Sequence, residues 1–307
     1  MATRSDSPFA GTASDRLREI LSAPALARAI GAHTPLSAIL GAEAGFDAIW
    51  ASGLEISASA GVPDANILSM AECLAVAASM VDSVGIPVLA DCDSGFGNVN
   101  NVVHMIKSYE RRGIAGICIE DKQFPKLNSF VPGNQDLAPI DDFAAKIYAA
   151  VQTRNELVVV ARLEALISGD GLDEAIKRAY VYEEAGADAL LIHSKLTVPS
   201  EVFAFRDEYR GALPVVVVPT TYNSVTAPQL EARGFGMAIY ANHALRSSIE
   251  GMRGTLQRII EDGTSSHVEP DIATVGEVFR LQGMAEMLTE QDTFEEVGRS
   301  LSGVSAL

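Results

Sequence analysis

The sequence predicts a single (β/α)8 barrel of the TIM type, an α/β fold, with an additional C-terminal helix. Three observations lead there. Short β-branched runs alternate about eight times with longer amphipathic stretches. Several amphipathic stretches lead into a glycine just before the next run, as in Arg111-Arg112-Gly113, Glu184-Ala185-Gly186 and Ala232-Arg233-Gly234, where glycine caps a helix in the left-handed conformation. The length of 307 residues suits one barrel with extensions. Repeated strand–helix alternation implies parallel strands joined by crossover helices, and eight such units close on themselves. A doubly wound sheet is the runner-up. It would normally carry a glycine-rich phosphate loop after its first strand, and no GxGxxG follows residues 26–32.

In chain order, residues 1–15 mix Ser, Thr, Asp and Gly and read as a flexible tail. The strands are expected at 26–32, 46–52, 87–93, 116–121, 157–164, 187–193, 213–220 and 236–241. Helical periodicity fills 69–84, 99–112, 140–153, 172–185, 200–209 and 243–261. A polar break at 262–270 separates the barrel, expected over 16–262, from an extension at 263–307. That extension is expected to hold one more helix at 275–288 and then a ragged tail.

Composition removes several functional classes. With 23 Lys and Arg against 40 Asp and Glu, the formal net charge is −17, which argues against nucleic acid or an anionic membrane surface as partner. A small anionic substrate needs only a few local cations and stays open. The longest apolar runs, such as 157–161 and 213–219, fall far short of the ~20 residues that span a bilayer. The first residues lack the basic-then-apolar pattern of a secretion signal. Three scattered cysteines with no CxxC indicate neither a disulfide framework nor a zinc site, and point to the reducing cytoplasm.

Active sites of parallel barrels lie at the carboxyl ends of the strands, and those ends are rich in polar residues here. One strand ends Trp50-Ala51-Ser52-Gly53, followed by a loop carrying Asp64; others end Asp91-Cys92-Asp93, Glu120-Asp121-Lys122, Arg162-Leu163-Glu164 and His193-Ser194-Lys195. Strand alternation predicts that Asp91 and Asp93 face one side and Cys92 the other. Those two carboxylates, with Glu120 from the adjacent strand and Asp64 nearby, would repel one another without a cation between them. An all-oxygen set suits Mg2+, which commonly takes one or two carboxylates directly and keeps several waters. The plainer alternative is that the two aspartates only cap turns and helix ends. Arg162, in a strand otherwise of Val, Ala and Leu, needs an anionic partner: either the adjoining Glu164 or a phosphate or carboxylate of a ligand. His193 is either a satisfied core histidine or a site residue. The loop 123–139, with Lys126, Asn128 and Ser129, reads as a lid that could close on an anion, or as an ordinary solvated loop.

The motifs Trp50-Ala51-Ser52-Gly53-Leu54, Val62-Pro63-Asp64-Ala65-Asn66, Asp91-Cys92-Asp93-Ser94-Gly95-Phe96-Gly97-Asn98, Glu120-Asp121-Lys122-Gln123-Phe124-Pro125-Lys126, Val160-Ala161-Arg162-Leu163-Glu164-Ala165 and Ile192-His193-Ser194-Lys195 resemble the phosphoenolpyruvate mutase/isocitrate lyase superfamily. The likeness runs from about Leu26 to Leu288. Carbon–carbon lyases of that superfamily carry a Lys-Lys/Arg-Cys-Gly-His segment in the mobile loop. Here the segment reads Phe124-Pro125-Lys126-Leu127-Asn128-Ser129, without a cysteine, so the resemblance points to the phosphonate branch.

That branch implies an isomerase acting on a small-molecule substrate, interconverting phosphoenolpyruvate and 3-phosphonopyruvate with Mg2+, as in phosphonate biosynthesis. The alternative is hydrolysis of phosphonopyruvate to pyruvate and phosphate. Lys126-Leu127-Asn128-Ser129 is similar to the isomerases, whereas the hydrolase tends to carry Thr in place of Asn. Residues 62–70 also resemble the hydrolase, and Ala51 stands where Gly is more usual.

The resemblance further implies that Asp91 binds Mg2+ directly, with Asp93, Glu120 and Asp64 acting through its waters. Ser52 and the Gly53 and Leu54 amides, beside Trp50, would hold the pyruvyl end. Arg162, His193, Asn128 and Ser129 would hold the phosphoryl group, and Lys126 would close over it. It also implies a homotetramer, a dimer of helix-swapped dimers, with 275–288 the exchanged helix. A catalytically dead barrel serving as a scaffold is the contrasting class; it would leave no reason for Asp91, Asp93, Glu120 and Arg162 to share one rim.

Overall fold

The structure is a computed structural model that describes residues 11–304. Eight strands form a closed barrel in sequence order: β1 (Ala27–Ala32), β2 (Ala48–Ala51), β3 (Val88–Asp91), β4 (Gly116–Glu120), β5 (Val158–Leu163), β6 (Ala189–Ile192), β7 (Val215–Val217) and β8 (Met237–Tyr240). Every neighbouring pair is parallel, and β1 closes on β8 with Ala27 opposite Met237. All eight expected strands are present, each shorter than its apolar run. The difference arises because the residues flanking a strand are buried by packing, so hydrophobicity outlasts the ladder.

The helices are α1 (Ala13–Ser22), α2 (Pro35–Glu43), α3 (Gly53–Ser59), α4 (Met70–Val81), α5 (Val99–Arg111), α6 (Ile140–Thr153), α7 (Ala165–Ser168), α8 (Gly171–Glu184), α9 (Ser200–Glu208), α10 (Ala227–Ala232), α11 (His243–Asp262), α12 (Val275–Leu281) and α13 (Met284–Val304). Among the described residues, none is long and apolar enough to cross a membrane. The tail expected over 1–15 is corrected at its end, and its residues 1–10 lie outside the described chain. Helix α1 starts at Ala13 because Thr12 and Asp15 form a capping box. Thr12 Oγ1 accepts the Asp15 amide at 3.2 Å, and the Asp15 carboxylate accepts the Thr12 amide at 3.0 Å.

Two hydrophobic layers follow from strand alternation. The inner one combines small residues such as Ala27, Ala29 and Ala48 with Trp50, Leu89 and Met237. The outer one lies between strands and helices and includes the fully buried Tyr109, Phe143, Tyr182 and Phe205. Leu17, Ile20 and Leu21 of α1 join the inner layer, so α1 plugs the end of the barrel where the strands begin. Two glycines there permit its close approach: a Cβ on Gly116 would lie 2.7 Å from Leu17 Cδ2, and one on Gly236 would lie 2.6 Å from the Leu21 carbonyl oxygen.

The chain divides into two compact units at Arg246/Ser247, inside α11, whose own end at Asp262 matches the polar break. In the second unit, the single helix expected at 275–288 is two. Gly283, at φ +68°, ends the first, and its amide bonds to the Arg280 carbonyl at 3.0 Å. The stretch beyond 288, expected to be ragged, continues as α13 to Val304. It contains no proline to stop it.

Replacing Leu17, which is fully buried, with Ala should cost about 2–5 kcal/mol, because the plug cannot collapse into the space left. Urea unfolding of Leu17→Ala should show the midpoint falling accordingly; an unchanged midpoint would mean that α1 is no plug.

Candidate active site

At the carboxyl ends of β2 to β6 the barrel mouth divides into an acidic half and a half built round a guanidinium. Asp91 is the last residue of β3. The alternation expected to carry Asp93 to the same face does not apply, because the strand has ended and Asp93 takes the left-handed conformation at φ +49°. The outcome is nevertheless the one expected: both carboxylates come to Gly53, where a Cβ would lie 3.2 Å from Asp91 Oδ2 and 3.4 Å from Asp93 Oδ1. The Asp93 amide donates to Asp91 Oδ1 at 3.3 Å, and Cys92 is buried in the outer layer. The Gly53 amide, at the start of α3, donates to Asp91 Oδ2 at 3.3 Å. Ser52 caps that helix by accepting the Glu55 amide at 3.4 Å, and Leu54 follows in its first turn. Trp50 is buried in the inner layer below.

The loop 123–139 lies closed on these groups. Lys126 Nζ sits 2.6 Å from Asp64 Oδ1 and 2.9 Å from Asp93 Oδ1. Asn128 Nδ2 donates to Asp64 Oδ2 at 2.7 Å. Asn66 links loop to acids: its Oδ1 accepts the Lys126 amide and its Nδ2 donates to Asp93 Oδ2, both at 2.6 Å. Burial disfavours charge on Lys126, but Asp93, Glu120, Asp64 and Asp91 around it hold the ammonium well above the usual lysine range. Burial pushes the Asp93 carboxyl up to about 7 against the pull of Lys126, with Asp91, Asp64 and Glu120 adding to the rise. Burial also raises the Asp91 carboxyl.

In the second half, Arg162 finds its anionic partner in Glu164, the protein-internal choice of the two that the sequence allowed. Its Nε lies 2.6 Å from Glu164 Oε1 and 3.3 Å from Glu120 Oε2, the residue opposite it in the β4–β5 register. Its Nη2 donates to Ser129 Oγ at 3.2 Å and lies 2.8 Å from His193 Nδ1. That same Nδ1 is 2.9 Å from Glu164 Oε1; a neutral ring can accept from the guanidinium or donate to the carboxylate, but not both at once. Burial lowers the His193 pKa, Glu164 opposing and Arg162 reinforcing the shift. Glu164 Oε2 accepts from Ser129 Oγ at 2.6 Å and lies 3.3 Å from Lys122 Nζ, which donates to Ser129 Oγ at 2.7 Å.

Every expected site residue therefore lies at one mouth, but two pairings differ from expectation. Asn128 faces Asp64 rather than the Arg162 half, and Lys126 faces the acids. Two contributors, Asn66 and Lys122, carried no expected role, and Glu164, expected only as a possible partner of Arg162, is the hub of several contacts. The signal for Asn66 and Lys122 was their place inside the quoted motifs. Nothing in the sequence indicated that Glu164 would meet four partners.

Among the described residues, no three Asp, Glu, His or Cys side chains stand close enough to enclose a metal ion by themselves. A cation with one direct carboxylate and several waters needs no such cage. Glu120 Oε1 is buried without a hydrogen-bond partner beside the other acids, a donor set that fits such an ion.

Although burial opposes it, Arg162, His193 and Lys122 hold the Glu164 carboxyl well below its ordinary value of 4.5. Its stabilising contribution is thus complete above about pH 4.5 and vanishes as pH falls through the folded-state value. Glu164→Gln should cost about 3–5 kcal/mol at pH 7 by leaving buried cations unpaired, with the deficit shrinking below pH 4.5. Denaturant titrations of both proteins at several pH values will read this; a deficit that does not change with pH would exclude a charged Glu164.

The sequence profile of the family described as phosphoenolpyruvate phosphomutase matches residues 17–260. The chain is 47% identical over 275 residues to a phosphoenolpyruvate phosphomutase of Tetrahymena pyriformis, covering 89% of this chain and 92% of that one. It is similar to the crystal structure of a phosphoenolpyruvate phosphomutase from Streptomyces platensis subsp. rosaceus, at 50% identity and a TM-score of 0.90, covering 92% and 99% of the two chains. A phosphonopyruvate hydrolase crystallised with oxalate and Mg2+ superposes with a TM-score of 0.87 at 43% identity, covering 91% and 98%. By sequence, barrel architecture and the make-up of the mouth, the chain belongs to the phosphoenolpyruvate phosphomutase family.

Proposed function

We propose that the barrel mouth interconverts phosphoenolpyruvate and 3-phosphonopyruvate, moving a phosphoryl group between the enol oxygen and the carbon two bonds away. The observation that carries this reading is the seat of the 123–139 loop. Lys126, Asn128 and Ser129 reach Asp64, Asp93, Glu164 and Arg162, so loop closure completes the polar lining and shuts out water in one movement. Lys126 and Ser129 are each only 6% exposed and Asp93 7%, so a substrate enters only when the loop lifts.

Phosphoryl transfer passes through a loose, metaphosphate-like transition state in most analyses, and catalysis is then positioning plus charge. In this reading Arg162, Ser129 and His193 supply donors to the phosphoryl oxygens, and Glu164 fixes the guanidinium by its bond to Nε. Asn128 exchanges Asp64 for a phosphoryl oxygen. Ser52 and the amides of Gly53 and Leu54, above Trp50, hold the pyruvyl end. Asp91 would hold Mg2+ directly, with Asp93, Glu120 and Asp64 acting through its waters. Bound there, the ion supplies positive charge to the developing enolate oxygens. Lys126 closes over the acids, and the dry site favours capture of the phosphoryl group by the enolate, at carbon or at oxygen, over capture by water.

The loop holds no cysteine, and Cys73, Cys92 and Cys118 are all buried, so nothing at the mouth offers the thiol of lyase chemistry. Three free thiols also support a reducing cytoplasmic location. We further infer a homo-oligomer assembled through the C-terminal helices by exchange between subunits. Ile249, Met252, Leu256 and Ile260 recur along one face of α11 and are 40–84% exposed, and Phe294, Val297 and Leu301 repeat the pattern on α13.

Phosphorus NMR of one incubation of phosphonopyruvate with enzyme and Mg2+ distinguishes the two phosphonate reactions: the isomerase gives phosphoenolpyruvate, the hydrolase inorganic phosphate and pyruvate. We expect phosphoenolpyruvate, full loss of turnover with a chelator, and at least a tenfold loss in Asn128→Ala, on the order of 1.4 kcal/mol of barrier. Full turnover in Asn128→Ala would refute the loop's role. Leu256→Glu should reduce the sedimenting mass of the assembly; an unchanged mass would remove the α11 face from it.

A further inference from the structure

One buried cation near the mouth touches none of the side chains assigned to the site above. Arg178, on α8, is 6% exposed. Its guanidinium spans the two ends of the loop that closes the site. Nη1 donates to Asp121 Oδ2 at 3.0 Å, at the residue where the chain leaves β4, and Nη2 donates to the Ala138 carbonyl at 3.0 Å, where the chain returns to α6. Tyr182, one turn further along α8, donates to the same Asp121 Oδ2 at 2.9 Å and accepts from Arg178 Nη1 at 3.0 Å. Glu174 Oε1 accepts from Nε at 2.8 Å. The ends also bond directly, the Ala138 amide to the Asp121 carbonyl at 2.8 Å and the Gln123 amide to the Asp136 carbonyl at 3.0 Å, with Lys122 paired antiparallel to Leu137.

The other oxygen of Asp121 faces the site. Asp121 Oδ1 accepts the Glu164 amide at 2.8 Å, and the Glu164 side chain holds Arg162, His193 and the loop's own Ser129. One carboxylate thus ties the foot of the loop to the backbone of the residue on which its tip lands. Burying a guanidinium is costly, and an apolar side chain of similar volume often serves stability equally well. What an apolar residue cannot do is bond both stems of the loop at once, here a side-chain carboxylate on one and a backbone carbonyl on the other, as the planar fork of arginine does.

We propose that Arg178 is a positioning residue that fixes the two stems of the 121–138 loop against each other and against Glu164, and that this sets how completely the closed loop keeps water from the phosphoryl group. It touches no substrate and acts through Asp121 and Ala138. The inference rests on the phosphoryl-transfer reading above. It predicts a change in product rather than in rate alone. When the seal fails, a water oxygen forms the new P–O bond and the P–C bond breaks with its electron pair on carbon. One water proton ends on that carbon and the other stays on phosphate, so phosphonopyruvate and water become pyruvate and phosphate.

The test uses the full-length protein with Mg2+ and compares wild type with Arg178→Lys, which keeps the charge but not the fork, and Tyr182→Phe, which removes one donor to Asp121. Phosphorus NMR on phosphonopyruvate reads the ratio of phosphate to phosphoenolpyruvate, and limited trypsin digestion with oxalate bound reads cleavage after Lys126. In Arg178→Lys both the ratio and the cleavage rate should rise at least fivefold, and in Tyr182→Phe about twofold. A variant that is slower or less heat-stable, yet keeps the wild-type ratio and cleavage rate, would overturn the proposal. Should Arg178→Lys not fold, Tyr182→Phe decides by the same two readouts. If wild type forms no phosphoenolpyruvate, the functional reading fails, and the cleavage rates alone judge whether Arg178 holds the loop.

Discussion

A carboxylate taken wholly out of water costs several kcal/mol unless cations and donors surround it, and at the mouth of this barrel Glu164 has both. Its side chain is fully buried, with Arg162 at 2.6 Å, His193 at 2.9 Å and Lys122 at 3.3 Å. These partners, two cations and an imidazole, come from β5 itself, from the stem of the loop and from the end of β6, so charge compensation is also a geometric constraint. The elements must meet where they do, or the carboxylate is left bare. Ser129 bonding to the same carboxylate makes the closed loop part of that balance.

The acidic half obeys the opposite rule. Asp64, Asp91, Asp93 and Glu120 converge, and burial raises Asp91 and Asp93, so this half is unfavourable until positive charge arrives. Lys126 brings one such charge on the loop, and Asn66 holds its backbone in register with Asp93. The two halves make one device: a guanidinium whose charge is already balanced faces acids whose charge is not, and the loop joins them. Phosphoryl chemistry suits that asymmetry, since it asks for fixed donors on one side and an added cation on the other.

The rest of the fold serves this mouth from a distance. Sealing the far end with α1 leaves one open face, and the tight inner layer of small side chains and Trp50 forms its floor. The outer layer of buried aromatics sets α5, α6 and α8 against the strands. That is how Arg178 and Tyr182 on α8 come to stand under the loop.

The period of the apolar pattern determined most of the architecture by itself. Eight strands in order, α6 over its full span and α11 to within one residue of its end could all be read, because burying a stripe or a face leaves its period in the sequence. Short helices such as α2 and α3 escaped, since a few residues carry too little period and their starts depend on caps at Thr34 and Ser52. The identities of the mouth residues were also legible, because strand ends of a barrel converge wherever the strands run parallel. Their pairings were not. That Asn128 meets Asp64, that Lys126 lies between two aspartates and that Glu164 serves four groups depends on distances across the loop, over sequence separations of up to 64 residues. Local sequence dictates which side chains arrive at a rim. Only closure of the barrel and the seating of the loop decide which charge finds which partner, because a buried charge is satisfied by whatever lies within about 3 Å of it and no linear spacing encodes that neighbour.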